Sequence, residues 1–464
     1  MAAQRGAGRA DRKNGHAGSL RCARYFRRDP ASRRDDLEQG DRRGQQGSRR
    51  RHLQDRRLRD RRRRVRVRAG IHRSGQESAS VRPFVGATER ELAGAVADWA
   101  SRKGVAERIP AAEKEGALPR DVIAELGQLG VLGMTIPETD GGLGASAVAF
   151  ALVLEELSAA WPSLAVGVAV NSGIVAGSIV RSATDEQRKR WLPKLMDGTG
   201  LGAFALTEPT SGSDAASLRT TARPDGNGWR IDGQKQFITN ARYAPFAIVL
   251  ARAGEFDPKR TSAGITAFVL PLDGPGVSVG PSEQKLGLRA SDTSALIMEN
   301  AAVGADAVLG EVGKGFAIAM AGLDGGRIGI AAQSVGIARR ALEIARAYAK
   351  ERRQFGRPIA DFEGLRFSIA KAESDLAAAR LLALRAAWLR DRGRPFTREA
   401  AMAKLYASEM AQRATHAAVQ ILGGNGYMRD YAVERYARDG RATTIYEGTS
   451  EIQRIVIARS LLAA

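Results

Sequence analysis

The stretch Phe204-Ala205-Leu206-Thr207-Glu208-Pro209-Thr210-Ser211-Gly212-Ser213-Asp214 marks the point where the character of the chain changes. An apolar run stops abruptly in hydroxyls, Pro and Gly. A strand ending in such a loop offers backbone N–H and side-chain OH groups to a polar planar ligand, although a plain loop of Asx and Ser turns has the same composition. Short strand-like runs then continue to about residue 305, at 202–206, 229–232, 237–240, 246–251 and 265–270. The breaks between them carry turn residues: Asp225-Gly226-Asn227-Gly228, Asp232-Gly233 and Asp273-Gly274-Pro275-Gly276.

Upstream of this β region, residues 88–200 read as helices. Thr88 followed by Glu91 predicts a capping-box start for a helix reaching Arg102. Pro119 is placed to open a second helix that ends near Gly127 and Gly130. The uncharged run 157–180 has membrane-span length. It is rich in Ala, Gly and Ser and interrupted by Pro162 and Asn171, so a buried helix pair is expected instead. Downstream, apolar residues recur three and four apart through 315–351, 361–392 and 397–422, with a last segment at 449–462. Long amphipathic helices with short connections make an antiparallel bundle. The order predicts an α+β fold with an N-terminal helical domain (85–201), a central β-barrel or sandwich-like domain (202–312) and a C-terminal four-helix bundle (313–464).

The chain has 464 residues, 44% of them hydrophobic, enough for several cores. Its net charge of +21 points first to nucleic acid. However, residues 1–80 hold 25 of the 72 Lys+Arg and only 9 of the 51 Asp+Glu, so the remainder is nearly neutral. The basic character belongs to an Arg-rich extension, residues 1–84. Its few large apolar residues predict a disordered tail, or a start site assigned upstream of the true one in an Arg-biased frame. Its acids argue against a targeting presequence. Its aromatics are only Tyr25, Phe26 and Phe84, too few for a base-stacking arm. No secretory apolar segment is visible, which makes a cytoplasmic location the expectation.

Cys22, the single Cys, lies in the extension, as do His16, His52 and His72; the body keeps only His416. A Cys nucleophile, a disulfide framework and a Cys/His metal site are thereby excluded from the body, and no metal site is expected. Its chemistry falls to carboxylates, hydroxyls, backbone groups or a borrowed cofactor.

Three further segments accompany the first. Gln234-Lys235-Gln236-Phe237-Ile238-Thr239-Asn240 places an aromatic and a hydroxyl along one strand; one core aromatic beside a surface hydroxyl explains it equally. Gln420-Ile421-Leu422-Gly423-Gly424-Asn425-Gly426 ends a helix in glycines, either a plain C-cap or a close backbone approach to a ligand. Ile445-Tyr446-Glu447-Gly448-Thr449-Ser450-Glu451 sets a carboxylate just before a helix that Thr449 or Ser450 can cap. Glu447 is then a solvated acid beside a cap, or a general base with an aromatic drying the site and Gly448 admitting substrate.

Together, in this order, the four segments resemble the acyl-CoA dehydrogenase family over residues 86–464. The resemblance implies FAD between the β domain and the bundle. It places the segment from Phe204 to Ser213 along the flavin, with Leu206 and Thr207 toward the ring and Ser213 toward the pyrophosphate and the thioester ligand. Phe237 and Thr239 fall on the flavin's other side; many members carry Trp where this chain has Phe237. Arg352 opens an Arg-Arg-Gln-Phe-Gly segment implied to reach FAD in a neighbouring subunit. Gln420, Gly423 and Gly424 match the adenosine contact, and Thr449 and Glu451 the last two. Where many members have Gln, this chain has Glu363.

Leu323-Asp324-Gly325-Gly326-Arg327 matches the segment that holds the CoA thioester through Asp324 and Arg327. From spacing alone, these two read as a surface ion pair. The resemblance makes Glu447 the base that removes the α-proton while the β-hydride passes to flavin N5, giving a trans-2-enoyl-CoA. Enolate charge is then held by the base's own backbone N–H and a ribityl hydroxyl of FAD. Some relatives carry the base on the Asp324 helix instead, where this chain has Gly326. The Gly325-Gly326 pair and the run Arg327-Ile328-Gly329-Ile330 look most like short-chain, butyryl-CoA dehydrogenase-like members, with the pocket floor near 154–158. The resemblance also implies an electron-transfer flavoprotein as acceptor and a homotetramer. The competing expectation is a flavoprotein of the same fold that is not a dehydrogenase, either an oxidase or a DNA-associated protein using the basic extension.

Overall fold

The computed structural model describes residues 84–462. The expectations for residues 1–83 lie outside the described residues. Six helices come first: α1 (Ala87–Arg102), α2 (Val105–Glu115), α3 (Arg120–Gln128), α4 (Ala147–Ala160), α5 (Pro162–Ser182) and α6 (Asp185–Met196). The start of α1 corrects the Thr88/Glu91 expectation: Gly86 is the N-cap, and its N–H donates to Glu89 at 2.9 Å. A Cβ at residue 86 would crowd that carboxylate at 2.6 Å, so glycine admits the earlier acid as the cap.

Pro162 does divide the uncharged run, since Trp161 turns extended between α4 and α5. Asn171 does not break it. The turn Ala169–Val175 widens to a π-helix, and the Asn171 amide accepts from Gly202 N–H at 2.8 Å and donates to the Leu195 carbonyl at 3.1 Å. A buried amide must find partners or lose several hydrogen bonds with water, and the widened turn aims it at them. Although α5 is long and apolar enough to cross a bilayer, 89% of its most apolar window is buried inside the fold.

The β domain contains β1 (Ala203–Ala205), β2 (Thr221–Asp225), β3 (Gly228–Thr239), β4 (Phe246–Arg252), β5 (Ile265–Pro271), β6 (Val277–Val279), β7 (Thr293–Gly304) and β8 (Val308–Leu309). The order is β6-β7-β3-β2-β4-β5-β8, with β1 parallel to β4. A single register pair, Thr221 with Arg252, joins the two halves of the path. They fold over one another around Ile231, Ile238, Leu296, Met298, Val249 and Phe268. Strand β4 is buried on both faces: Ala247, Val249 and Ala251 face this core, while Phe246, Ile248 and Leu250 meet the helices. Two predicted strands prove to be one, because Asp232-Gly233 is a bulge in β3 and not a turn. Strand β7, twelve residues long, was not anticipated; its outward positions are too mixed for clean alternation.

The C-terminal helices are α7 (Gly315–Glu351), α8 (Glu363–Asp391), α9 (Thr397–Leu422), α10 (Val433–Arg441) and α11 (Ser450–Leu462). A small hairpin, β9 (Arg353–Gln354) with β10 (Arg357–Pro358), links α7 to α8. The unanticipated α10 is only nine residues long and buries Val433, Tyr436, Asp439 and Gly440 on one face, only two of them large and apolar. Leu154, Leu157 and Val335 join α4 and α7 into the largest core, so the N-terminal helices and the bundle pack as one apolar body. The ends of β1 and β3, the middle of α7 and the loop before α11 are the parts that carry the candidate chemistry.

Candidate active site

The loop between α10 and α11 turns sharply at Glu447, φ 53°, and Gly448, φ 89°. Left-handed backbone costs a non-glycine residue on the order of 1–2 kcal/mol and persists only where neighbours fix it. Here, the Gly448 carbonyl accepts from Lys404 Nζ at 2.7 Å and Gln453 Nε2 at 2.9 Å, and the Glu447 carbonyl accepts from the same Gln453 at 3.2 Å. Tyr446 OH donates to Gln333 Oε1, and Gln333 Nε2 donates to the Pro162 carbonyl at 3.0 Å. The turn is therefore tied to α5, α7, α9 and α11.

Its effect is to drive the Glu447 side chain against α7. A Cβ on Gly326 would collide with Glu447 Oε2, so the two positions at which a base might be carried converge on one point in space. Both carboxylate oxygens are buried, and neither has a hydrogen-bond partner among the described residues. Burial pushes the Glu447 carboxyl up to about 7, with the charges of Lys404 and Arg327 pulling it back. A poorly solvated carboxyl poised near neutrality is what proton abstraction requires.

Arg327, 5% exposed, donates to Asp324 Oδ1, and Asp324 Oδ2 accepts from Thr397 Oγ1 at 2.6 Å. This pair is not a surface ion pair, because α8 and α9 cover that side of α7. Asp324 also lines a cleft of about 340 Å³ with Thr135, Arg181, Gly325, Arg390 and Phe396. Neither Arg181 nor Arg390 has a carboxylate within ion-pair distance among the described residues. Burial and the facing Arg390 push Arg181 down to about 10.

At the end of β1, Thr207 O accepts from Gln236 N–H at 2.8 Å, and Leu206 O accepts from Lys235 Nζ at 3.2 Å. Lys235 is fully buried and pairs with Glu208 at 2.7 Å; Glu208 also accepts from the N–H groups of Arg219 and Thr220. This ion pair fixes the backbone of Leu206 and Thr207 beside β3. A second bulge, between Lys235 and Ile238, turns Phe237 to φ 59° and leaves it 57% exposed. The aromatic is thus presented at the surface and is not a core residue. Phe204 is half-buried and Ser213 exposed.

The structure groups Phe204, Leu206, Thr207, Phe237 and Thr239 around the β1 and β3 ends, and Glu447, Gly448, Asp324 and Arg327 around α7. Thr449 and Glu451 sit at the start of α11, where Thr449 Oγ1 accepts from Ile452 N–H. Arg352 caps α7, exposed and with no side-chain hydrogen bond among the described residues; Gln420, Gly423 and Gly424 are exposed at the end of α9. The sequence reading missed Lys404, Gln333, Gln453 and the Lys235–Glu208 pair as parts of the site. The available signal was a polar residue on an apolar face, as with Lys404 among buried alanines of α9.

Three domain families match in order: acyl-CoA dehydrogenase N-terminal domain over 86–199, middle domain over 203–301 and C-terminal domain over 313–462. The short-chain specific mitochondrial acyl-CoA dehydrogenase of Bos taurus is 45% identical over 350 residues, 75% of this chain and 84% of that one. Butyryl-CoA dehydrogenase from Megasphaera elsdenii superposes with a TM-score of 0.78 at 38% identity, covering 82% of this chain and 99% of that one. A chain solved in work on the electron transferring flavoprotein of Acidaminococcus fermentans gives 0.79 at 40% identity, with the same coverage. This chain belongs to the acyl-CoA dehydrogenase family, whose members are FAD-dependent oxidoreductases.

Proposed function

We propose that the protein converts a short-chain acyl-CoA thioester to the trans-2-enoyl-CoA, with Glu447 as the base that takes the α-proton. The observation that carries this reading is the Glu447 carboxylate itself: buried, without a hydrogen bond among the described residues, and driven against α7 by a strained turn. The residues present fit FAD. Leu206 and Thr207 are pinned beside an outward-facing Phe237, and side chains at Gly212, Gly423 and Gly424 would meet open space, leaving backbone free for close approach. FAD, when bound, supplies the two-electron acceptor for the β-carbon hydrogen.

Glu447 takes the α-proton, and the electron pair of that C–H bond becomes part of the new C=C bond as the β-hydrogen leaves with its pair. The Glu447 backbone N–H has no acceptor among the described residues, which suits it to hold the thioester oxygen as charge develops there. Tyr446, half-buried beside it and tied to Gln333, limits the access of water to the carboxylate. The cleft of Arg181, Arg390 and Asp324 suits the phosphate-bearing end of CoA. Below Glu447, Ile174 lies 3.2 Å from where a Cβ on Gly326 would stand, and Leu154 lies 3.3 Å from one on Gly329. These contacts favour a short acyl chain.

Electron-transfer flavoprotein is the proposed acceptor, supported by family membership. A homotetramer is proposed from family membership, and the exposed Arg352, with Phe355 at 90% exposure and Tyr427 at 80%, offers a surface that another copy can cover. Steady-state turnover of butyryl-, octanoyl- and isovaleryl-CoA with product analysis tests the substrate range. Butyryl-CoA is expected to give the largest kcat/KM and crotonyl-CoA as product; a preference for octanoyl-CoA overturns the short-chain assignment.

A further inference from the structure

Lys404 is fully buried on α9, on the face that also buries Ala400, Ala403, Ala407 and Ala411. The spacing puts these residues in one stripe, where an apolar side chain is the ordinary choice. An ammonium has three N–H donors, and the recorded bond is to the Gly448 carbonyl at 2.7 Å. Burying an ammonium carries a desolvation cost that an apolar side chain of similar length does not, so the charge calls for a partner.

The charged groups facing Lys404 are Glu447 in the loop, Arg327 on α7, Glu451 at the start of α11 and Glu409 on its own helix. Glu451 is exposed and Glu409 is engaged by Arg454, and Arg327 is engaged by Asp324. The buried carboxylate left for the buried ammonium is Glu447, whose side-chain oxygens have no hydrogen bond among the described residues. Burial pushes Lys404 down to about 8, and Glu447 pulls it up.

We propose that Lys404 is a positioning residue for the general base: its hydrogen bond holds the left-handed Glu447-Gly448 turn, and its charge keeps Glu447 ionised in a dry site. The proposal rests on Glu447 being the base. It separates two contributions, since Gln at 404 keeps an N–H donor without the charge, whereas Met removes both.

The test uses the full-length, FAD-loaded protein with Lys404→Gln and Lys404→Met. Infrared difference spectra follow the carboxyl band that Glu447→Gln removes, as a function of pH. Anaerobic flavin bleaching by butyryl-CoA is followed over the same range, together with thermal stability. Removing a nearby positive charge raises a carboxyl pKa, so the band is expected to titrate about one unit higher in both variants. Bleaching at neutral pH falls about fivefold, with most of the loss recovered at higher pH and butyryl-CoA affinity within about twofold. Lys404→Met loses more than Lys404→Gln, because the turn is also released. A changed melting temperature with an unshifted band and an unshifted pH profile in both variants overturns the proposal. Wild-type bleaching by Glu447→Gln overturns the base assignment itself, a result distinct from either Lys404 outcome.

Discussion

Glu447 carries a cost that the fold accepts for its position. In the folded protein its carboxyl holds a proton up to about pH 7, whereas an unfolded chain releases it near the ordinary 4.5. The folded state therefore binds more protons between these values, and stability falls as pH rises through that window and then levels off. Glu447→Gln is expected to melt above wild type at pH 8, reflecting a stability gain on the order of 3 kcal/mol, with the difference vanishing near pH 4. Paired thermal melts across that range check it; equal melting at pH 8 shows that the carboxylate is not held in a dry site. The sequence displayed this residue plainly, between an aromatic and a glycine. It did not display the left-handed turn, which depends on donors from Lys404 and Gln453 far along the chain or around the next helix turn.

At the scale of elements, the β1 loop and β3 are held together by an ion pair within the fold. Lys235 is fully buried, and Glu208 satisfies two backbone N–H groups besides. Lys235→Met leaves that carboxylate buried with its countercharge gone, which is expected to cost about 3–5 kcal/mol and to lower FAD retention, read from the melting temperature and flavin absorbance. Adding Glu208→Gln should recover part of the stability; a Lys235→Met protein with wild-type melting and flavin content contradicts this role. The turn residues Asp225-Gly226-Asn227-Gly228 announced the β2–β3 hairpin correctly, because a tight turn is a local property. Asp232-Gly233 misled for the same reason. Whether such a pair turns the chain or bulges a continuing strand is decided by the partner β7, which has no local signature.

At the scale of the molecule, helices α7, α8 and α9 were legible almost to the residue, since periodicity over many turns leaves little ambiguity. The helical–β–helical order of the domains was legible too. The cleft that takes Arg181 from α5 and Arg390 from α8 was not, because its walls are brought together only by packing. Arg390→Gln is expected to raise KM for butyryl-CoA about tenfold, with kcat little changed and the phosphate-free butyryl-pantetheine unaffected. An equal loss with both thioesters refutes a phosphate contact there.

The reading as a whole stands on one carboxylate acting on a thioester beside a flavin. Anaerobic titration of the FAD-loaded protein with butyryl-CoA, alongside Glu447→Gln, tests that most directly through the flavin absorbance. Prompt bleaching by wild type and none by the variant is the predicted result. Bleaching of the variant at the wild-type rate, or a wild-type flavin that butyryl-, octanoyl- and isovaleryl-CoA all leave oxidised, contradicts it.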